Sequence, residues 1–436
     1  MMKKKLILEE KKDSSFIEKN NLGVILTLEK AVSSPYGIVS SGLGYNDFHV
    51  ETKDDGKISL FTYNGVFGAF LDSNLIPIFI QKGFEGTEKE IALGFDGKLF
   101  VSLIKTFPVD QQQFTCSFNK ESTGLSVVAL GGSGKSEGEI PFSSNRELFW
   151  KSSISELFAF SKKEGFIKIE GKSFLDNLEK GLCFVPGEGW GEDLSSLYII
   201  FNEKGYKILA SNGYSVCSIE KKEGFVYFDK DKCIYLRLSR NFISFFIDFC
   251  KGLPCNFNSI IIGVYKELLY FLLDNGIIIF TVGFTLSEEK SDVCSDLLLI
   301  IEKAGKGKEK FSVDLVAKDI GLLSKAVARQ EIIDTRNLNK ICLRFNYKEG
   351  EEYISVHSIK NENIGFWEDR ISISKIKIND ESFNDSFTSF LSYFSKIINL
   401  FRDIEEINKV SILVYDDLMF FFDNNKICVL SMLVKD

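Results

Sequence analysis

An internal repeat with a period near 150 residues constrains the fold of this chain more than any other feature of its sequence. The segment VYKELLYF at 264–271 reappears as VYDDLMFF at 414–421, 150 positions later. Each copy runs into a turn rich in Asp and Asn, and then into a second apolar stretch. Self-similarity at a fixed period is typical of one structural module that recurs along a polypeptide. We therefore expect the fold to be built from copies of a single unit.

Two further landmarks repeat at nearly the same distance. A strand–turn–strand pattern surrounds Gly65 and again Gly213, 148 positions later. An amphipathic segment ends at Pro108 and another at Pro254, 146 positions apart, and the same step reaches Leu400 at the end of a third. Since the chain has 436 residues, these independent features predict three copies.

Each copy has the same order of predicted elements: strand, helix, hairpin strands, helix, hairpin strands. This order indicates an α+β fold with antiparallel sheets. The predicted domains are 1–155, 156–305 and 306–436. The Lys- and Gly-rich segment 303–310 is the predicted linker before the third domain, and 143–165 is predicted to join the first to the second.

Histidine is nearly absent, because His49 and His357 are the only two in the chain. They leave no arguable Ser/His/Asp or Cys/His set for catalysis and almost nothing for zinc. The nine cysteines form no C-x-x-C pair, which indicates reduced, mostly buried thiols in a cytoplasmic protein. We expect a protein that is not an enzyme and that has neither a cofactor nor a metal.

Membrane-directed segments are also not expected. Residues 1–12 begin like a signal peptide, but their apolar run is only three residues long. The most apolar stretch, 260–284, is interrupted by Lys266, Glu267 and Asp274, whose charges a membrane span would have to bury. Because Asp, Asn and Gly follow one another at 274–276, a hairpin between two apolar strands is the predicted structure.

One motif resembles a phosphate-binding loop. The segment ALGGSGKS at 129–136 follows an apolar strand and matches a relaxed P-loop pattern. A true P-loop opens a helix, whereas the residues that follow, EGEIP, are poor helix formers. We predict a hairpin tip at 131–134, with a P-loop nucleotide-binding protein as an alternative.

Basic residues recur on predicted helices even though the net charge is -8. In a helix predicted over 314–334, Lys318, Lys325 and Arg329 lie opposite an apolar face. Similar candidates in the other segments are Lys98, Lys105, Arg237, Arg240, Lys251, Lys396 and Arg402. Each group is either a solvated outer face or a stripe that faces the phosphates of a nucleic acid. The acidic balance excludes only a uniformly basic coat.

The run LLSKAVARQEII at 322–333 resembles the first helix of the third domain in bacterial sliding clamps, the DNA polymerase III beta subunit. The resemblance implies three tandem clamp domains, each with two helices inside and antiparallel sheets outside, and a ring formed by a head-to-tail homodimer. It also implies a replication processivity factor that encircles double-stranded DNA without reading its sequence. By position, Ile332 and Ile333 match the ring interface. The poor match over the first 95 residues fits a divergent member, a phage-encoded one included.

The resemblance further implies a pocket that receives short peptide motifs from the replicative polymerase and the clamp loader. By position it would include Gly213, Tyr214, Val216, Leu430 and Met432. The Arg and Pro of the family pattern are absent here, which affects the expected peptide preference. Two alternatives remain: these side chains are ordinary core residues, or the protein is a clamp-like scaffold that never encircles DNA.

Overall fold

The structure, a computed structural model, describes most of the chain after residue 165 and shorter stretches before it. The described residues are 17–18, 47–52, 58–71, 79–81, 92–106, 113–118, 123–131, 134–142, 165–187, 189–222, 224–227, 233–253, 257–306, 309–333, 339–346, 352–357, 367–373, 376–379, 386–403, 409–415, 418–423 and 427–433. Residues 1–12, Pro108, Pro254 and nearly all of the predicted joining segment 143–165 lie outside them.

Six helices lie within the described residues. They are α1 (Gly97–Thr106), α2 (Gly171–Leu182), α3 (Arg240–Gly252), α4 (Asp292–Lys306), α5 (Ala317–Ile333) and α6 (Leu391–Arg402). Asp96 caps the first of them, because its Oδ1 accepts a hydrogen bond from the Leu99 amide at 2.9 Å.

The strands alternate with these helices along the chain. The first fourteen are β1 (Ile17–Glu18), β2 (Asp47–Thr52), β3 (Ile58–Tyr63), β4 (Phe67–Leu71), β5 (Phe79–Gln81), β6 (Ala92–Asp96), β7 (Gln113–Phe118), β8 (Gly124–Gly131), β9 (Gly134–Pro141), β10 (Ile167–Glu170), β11 (Ser196–Asn202), β12 (Gly205–Ser211), β13 (Ser215–Lys221) and β14 (Phe225–Tyr227). The others are β15 (Ile234–Ser239), β16 (Ser259–Tyr265), β17 (Leu268–Leu273), β18 (Ile278–Thr281), β19 (Phe284–Ser287), β20 (Phe311–Val316), β21 (Lys340–Asn346), β22 (Tyr353–His357), β23 (Glu368–Ser372), β24 (Ile376–Ile378), β25 (Ser386–Phe390), β26 (Lys409–Val414), β27 (Leu418–Asp423) and β28 (Ile427–Met432).

The chain divides into two compact units. Unit 1 comprises Met1–Leu175, Phe225–Asp229 and Asn241–Phe284. Unit 2 comprises Asp176–Gly224, Lys230–Arg240 and Thr285–Asp436. The borders of these units differ from the predicted domain limits because strands from neighbouring repeats pair within one sheet. The division into three domains therefore stays a prediction.

Each unit contains one large antiparallel sheet that crosses between repeats. In unit 1 the strand order is β14-β10-β16-β17-β18-β4-β3-β2-β6. In unit 2 it is β19-β15-β11-β12-β13-β28-β27-β26-β20-β24. The last strand of one repeat thus pairs with the third of three consecutive strands in another repeat. Strand β18 pairs with β4 in this way, and strand β28 pairs with β13. We call these two pairings the internal joins.

The strand bounds confirm the repeat. Strands β16 and β17 begin at 259 and 268, and β26 and β27 begin 150 positions later, at 409 and 418. Helices α3 and α6 each follow a strand directly and precede these meanders. The predicted turn at 274–276 is confirmed, because Gly276 has a positive φ of 93° between β17 and β18.

Aromatic side chains connect each sheet to its helices. In unit 1, the ring of Phe246 on α3 lies 4.7 Å from that of Phe271 on β17. In unit 2, the ring of Phe394 on α6 lies 6.0 Å from that of Phe421 on β27. All four side chains are buried. Burying a phenylalanine contributes on the order of 1.5–3 kcal/mol, so these contacts fix which face of each sheet the helices cover.

Two boundaries differ from the sequence prediction. The helix predicted over 314–334 begins at Ala317, because residues 311–316 instead form β20, which pairs with β26. The Lys- and Gly-rich segment 303–310 is not a linker throughout, since 303–306 form the last turn of α4. Residues 307–308 and Asp334 lie outside the described residues.

Candidate nucleic-acid interface and partner-docking face

Helix α5 has the two faces that its sequence predicts. Ile320, Leu323 and Val327 are buried, whereas Lys318 and Lys325 are exposed on the opposite side. Neither lysine has an ion-pair partner among the described residues. Their ammonium groups are therefore available to an anionic ligand such as a phosphate backbone.

Arg329, on the same face of α5, is engaged within the protein. Its Nε and Nη2 donate to the two carboxylate oxygens of Asp369 on β23, at 3.0 and 2.6 Å. The hydrogen bond to this carboxylate raises the pKa of Arg329 above its ordinary value. The pair connects the end of α5 to β23 and neutralises the charge that Arg329 would offer to a phosphate.

The two arginines proposed for the second repeat have different surroundings. Arg237 lies on β15 rather than on a helix, and its guanidinium contacts Asp193 at 2.6 Å and Glu192 at 2.8 Å. Arg240, the first residue of α3, donates through Nη1 to the carbonyl of Leu182 at 3.1 Å and to that of Val185. Arg240 thereby satisfies carbonyls at and beyond the end of α2.

The remaining basic candidates lie on helices. Lys98 and Lys105 are exposed on α1, and Lys251 is exposed in the last turn of α3. Lys396 is exposed on α6, with its Nζ 5.9 Å from the centre of the Tyr393 ring. Arg402, the last residue of α6, pairs with Asp403 at 2.7 Å and donates through Nη1 to the Ser324 hydroxyl at 3.0 Å. Of the ten candidates, the six lysines are therefore exposed on helices, and each of the four arginines contacts a partner within the chain.

Two of the edge strands, β9 and β23, belong to strand types that recur in the chain. Strand β9 pairs with β8, and strand β23 pairs with β22, each on one side only within the described part of the chain. The single bridge between Phe95 and Phe142 lies just beyond β9. By connectivity, β9 is the counterpart of β18 and β28, and β23 is the counterpart of β4 and β13. Both kinds of strand that pair at the internal joins therefore occur a third time in the chain, as β9 and as β23. Each of these two strands has one edge that pairs with no other described strand.

An exposed apolar side chain lies on the helix that contacts one of these edges. Ile332, near the end of α5, is 76% exposed, and Ile333 is half-buried. The Arg329–Asp369 pair places this end of α5 against β23. The residues predicted for a ring interface therefore lie on an element that contacts β23, one of the edge strands of unit 2.

The five residues predicted for a peptide pocket fall into two groups. Val216 on β13 lies directly opposite Leu430 on β28 at the internal join, and both are buried. Helix α4 covers them: Cys294, Leu297 and Ala304 are buried in the same apolar cluster. The structure therefore fills the apolar face that the resemblance predicts as an open pocket.

The second group stays accessible at the ends of the same strands. Tyr214 is 38% exposed and Met432 is 52% exposed, and the Met432 amide donates to the Tyr214 carbonyl at 3.0 Å. The Tyr214 ring stacks on Tyr393 at 5.3 Å, and Trp190 meets its edge at 6.5 Å. Gly213 has a positive φ of 83°, and a Cβ there would approach the Trp190 ring to 3.3 Å. A small aromatic surface results.

Sequence reasoning missed both α4 and the aromatic neighbours of Tyr214. The signal for α4 is present in the sequence, because Cys294, Leu297, Ile301 and Ala304 follow helical spacing and Ser291 precedes them as a cap. The Ser291 Oγ accepts from the Cys294 amide at 3.2 Å. No comparable pattern connects Trp190 to Tyr214, whose contact depends on the tertiary structure.

The P-loop-like segment is a hairpin, as predicted. Gly131 at the end of β8 pairs with Gly134 at the start of β9, so that a strand and not a helix follows β8. Gly132 and Ser133 lie outside the described residues. Lys135 makes an ion pair with Glu137 of its own strand. The segment therefore connects two strands of a hairpin, whereas a P-loop connects a strand to the helix whose N-terminus holds phosphate.

The described cysteines are free thiols. Burial raises the pKa of the Cys116, Cys217 and Cys250 thiols, which are therefore protonated at neutral pH. Within the described ranges, no cluster of His, Cys, Asp and Glu side chains could hold a metal ion. No helix in those ranges is long and apolar enough to span a membrane.

The fold, with its repeated modules and its sheets continuous across internal joins, is that of the DNA sliding clamps. The DNA polymerase sliding clamp from Bacillus subtilis superposes with a TM-score of 0.70 at 12% identity, over 97% of this chain and 98% of that one. The beta subunit from the DNA polymerase of Streptococcus pyogenes gives 0.68 at 14% identity, over 97% and 99%. The DNA polymerase III beta subunit from Thermotoga maritima gives 0.67 at 11%, over 97% and 99%. The sequence itself matches no family model and no curated protein.

Proposed function

We propose that this chain is a DNA polymerase processivity factor that encircles duplex DNA as a sliding clamp, without catalytic activity of its own. The observation that carries the proposal is that two edge strands, β9 and β23, are of the strand types that pair at the internal joins. Two joins of the same kind already exist within the chain, as β18 with β4 and β28 with β13. Strand β9 of one copy pairing with β23 of a second copy would repeat them head to tail, and two such contacts close a ring of two protomers.

Several features support a ring that holds DNA without reading it. The exposed lysines on α1, α3, α5 and α6 supply positive charge on helices, although the whole chain has a net charge of -8. Phosphate attraction is independent of sequence, and topological linkage retains the protein even where that attraction is weak. The structural neighbours are DNA polymerase clamps and beta subunits. Partners would accordingly be a replicative polymerase and a clamp loader, which bind through short peptide segments in the cell compartment that holds the DNA.

Retention on closed DNA tests the proposal directly. Protein assembled on nicked circular DNA should remain bound in high salt, and linearisation with a restriction enzyme should release it. The Ile332→Asp, Ile333→Asp double variant should give monomers and lose retention, because it places charges in an apolar contact. Leu299→Asp, which changes an exposed residue of α4, serves as the control and should retain the circles. Equal release from circles and linear DNA would identify a scaffold or an ordinary electrostatic binder instead.

Charge reversal tests the assignment of the DNA-facing residues. Lys318→Glu with Lys325→Glu should weaken DNA binding, because two exposed cations become anions. The dependence of log K on log salt should flatten by roughly 0.9 for each phosphate that the protein no longer neutralises. Arg237→Gln is the matched control, since Arg237 already contacts Asp193 and Glu192. If the control flattens the salt dependence as much as the lysine variant, these lysines do not face DNA.

A further inference from the structure

Helix α4 lies on the apolar face of the sheet in unit 2. One side of the helix is buried through Cys294, Leu297 and Ala304, with Ile301 partly buried between them. The residues beneath it belong to both repeats that meet at the join; they are Tyr198, Ile200, Leu209, Val216, Phe420 and Leu430. Phe421, the neighbour of Phe420 on β27, points to the other face, where it contacts Phe394 of α6. The helix therefore covers the internal join from the face opposite to α6.

The attachment of α4 differs from that of any strand. Its own backbone hydrogen bonds are internal to the helix, so its removal breaks no ladder of the sheet. At its far end the Ala304 carbonyl accepts a hydrogen bond from the Tyr415 hydroxyl at 2.7 Å. Its other side faces solvent, where Leu299 is 45% exposed and Lys303 is exposed. Side-chain packing over one face thus provides most of the attachment, and such elements open at lower free energy than the sheet they cover.

The covered face includes the face that is predicted to dock partner peptides. Val216 and Leu430 are the two predicted pocket residues at the join, and both lie under α4. Tyr214 and Met432, which end the same strands, remain exposed. A partner segment that binds Tyr214 and Met432 and extends from them onto the apolar face would meet α4 there.

We propose that α4 is a built-in occupant of the partner-docking face and that partner segments bind by displacing it. This inference rests on the proposed function, since it concerns the regulation of the same site. The partner is a protein segment with apolar side chains at the helical spacing of Cys294, Leu297, Ile301 and Ala304, because that spacing matches the face. Its apparent affinity is the intrinsic affinity reduced by the fraction of molecules in which α4 is open.

A peptide with the sequence of residues 291–306 is the probe for this exchange. A fluorescent copy of it is titrated into the full-length protein, and binding is followed by anisotropy. Leu297→Asp with Ala304→Asp should release α4, because each change buries a charge in an apolar cluster. This variant should bind the peptide at least tenfold more tightly than the wild type. Leu299→Asp, on the exposed side of the same helix, should bind it no better than the wild type. Equal affinity in all three proteins overturns the proposal.

Hydrogen exchange of the wild-type protein provides a readout that no variant can confound. The amides of α4 should exchange at least tenfold faster than those of β12 and β13 beneath it. Equal protection would mean that α4 opens only with the whole unit, and it would also overturn the proposal. Retention on circular DNA is measured in parallel on the same proteins. Loss of retention in the wild type contradicts the proposed function, whereas intact retention without peptide exchange contradicts only the role of α4.

Discussion

The two internal joins share a backbone arrangement but differ in side chains. In unit 1, Phe280 on β18 lies opposite Gly68 on β4. In unit 2, Leu430 on β28 lies opposite Val216 on β13. A Cβ at Gly68 would meet the Thr62 carbonyl oxygen and would lie 2.7 Å from the Phe280 ring. Glycine is therefore required where the large ring crosses the join, whereas two aliphatic side chains fill the same place in unit 2.

The two joins also differ in what covers them. In unit 1 the Phe280 ring stacks on Tyr63 at 5.9 Å, within a cluster that includes Tyr270 and Phe61. In unit 2, the smaller Val216 and Leu430 pack beneath helix α4. One pairing of strands can therefore support either an aromatic cluster or a bound helix. The two joins thus share their strand pairing, whereas their side chains and the elements packed over them differ.

The largest effect is expected from Gly68→Val, which gives unit 1 the side chain of unit 2. Since the contact atom at Thr62 belongs to the backbone and cannot rotate away, the strand must shift. We expect a loss of about 3 kcal/mol or more in the free energy of unfolding of unit 1. Urea denaturation followed by hydrogen exchange of β4 and β18 would measure it.

Val216→Gly is the reciprocal control. It removes buried apolar surface without a clash, and about 2 kcal/mol should be lost, confined to unit 2. If Gly68→Val is instead as stable as the wild type, the close approach of Phe280 to β4 does not govern the first join.

A smaller loss of unfolding free energy, equal in the two units, is expected when the turns before β4 and β13 are altered. The Asn64 Oδ1 accepts from the amides of Val66 and Phe67 at 3.0 and 2.9 Å. The Asn212 Oδ1 accepts from those of Tyr214 and Ser215 at 3.0 and 2.7 Å. Because the geometry repeats, Asn64→Ala and Asn212→Ala should each reduce the unfolding free energy by about 1 kcal/mol.

Local hydrogen exchange in each unit would measure both losses. The replacement of Asn202 by Ala is the control, since its Oδ1 accepts from the Lys204 amide in an exposed turn away from the joins. A loss in one unit more than double that in the other would contradict the equivalence of the two turns.

Local features of the fold were accessible from the sequence. Alternation, turn residues and helical spacing act over a few positions, so the hairpins at 131–134 and 274–276 and the apolar face of α5 were predicted as they occur. The same rules failed at 314–316, where pairing of β20 with β26 overrides a helical pattern. They also failed at 303–306, where Lys and Gly suggested a linker although the burial of Ala304 completes α4.

The repeat is determined by the sequence alone, because duplicated patterns bury the same faces in each copy, whereas helix α4, which lies outside the repeated order, was not predicted. Which charges remain available depends on the tertiary structure. Arg329 and Arg237 are indistinguishable from Lys325 by pattern, yet folding places Asp369 and Asp193 beside them from 40 and 44 positions away. Tertiary structure also decides whether the apolar residues Val216 and Leu430 are accessible, because helix α4 packs over both of them. Long-range packing, which no local pattern encodes, therefore decides which residues of the predicted sites can meet a partner.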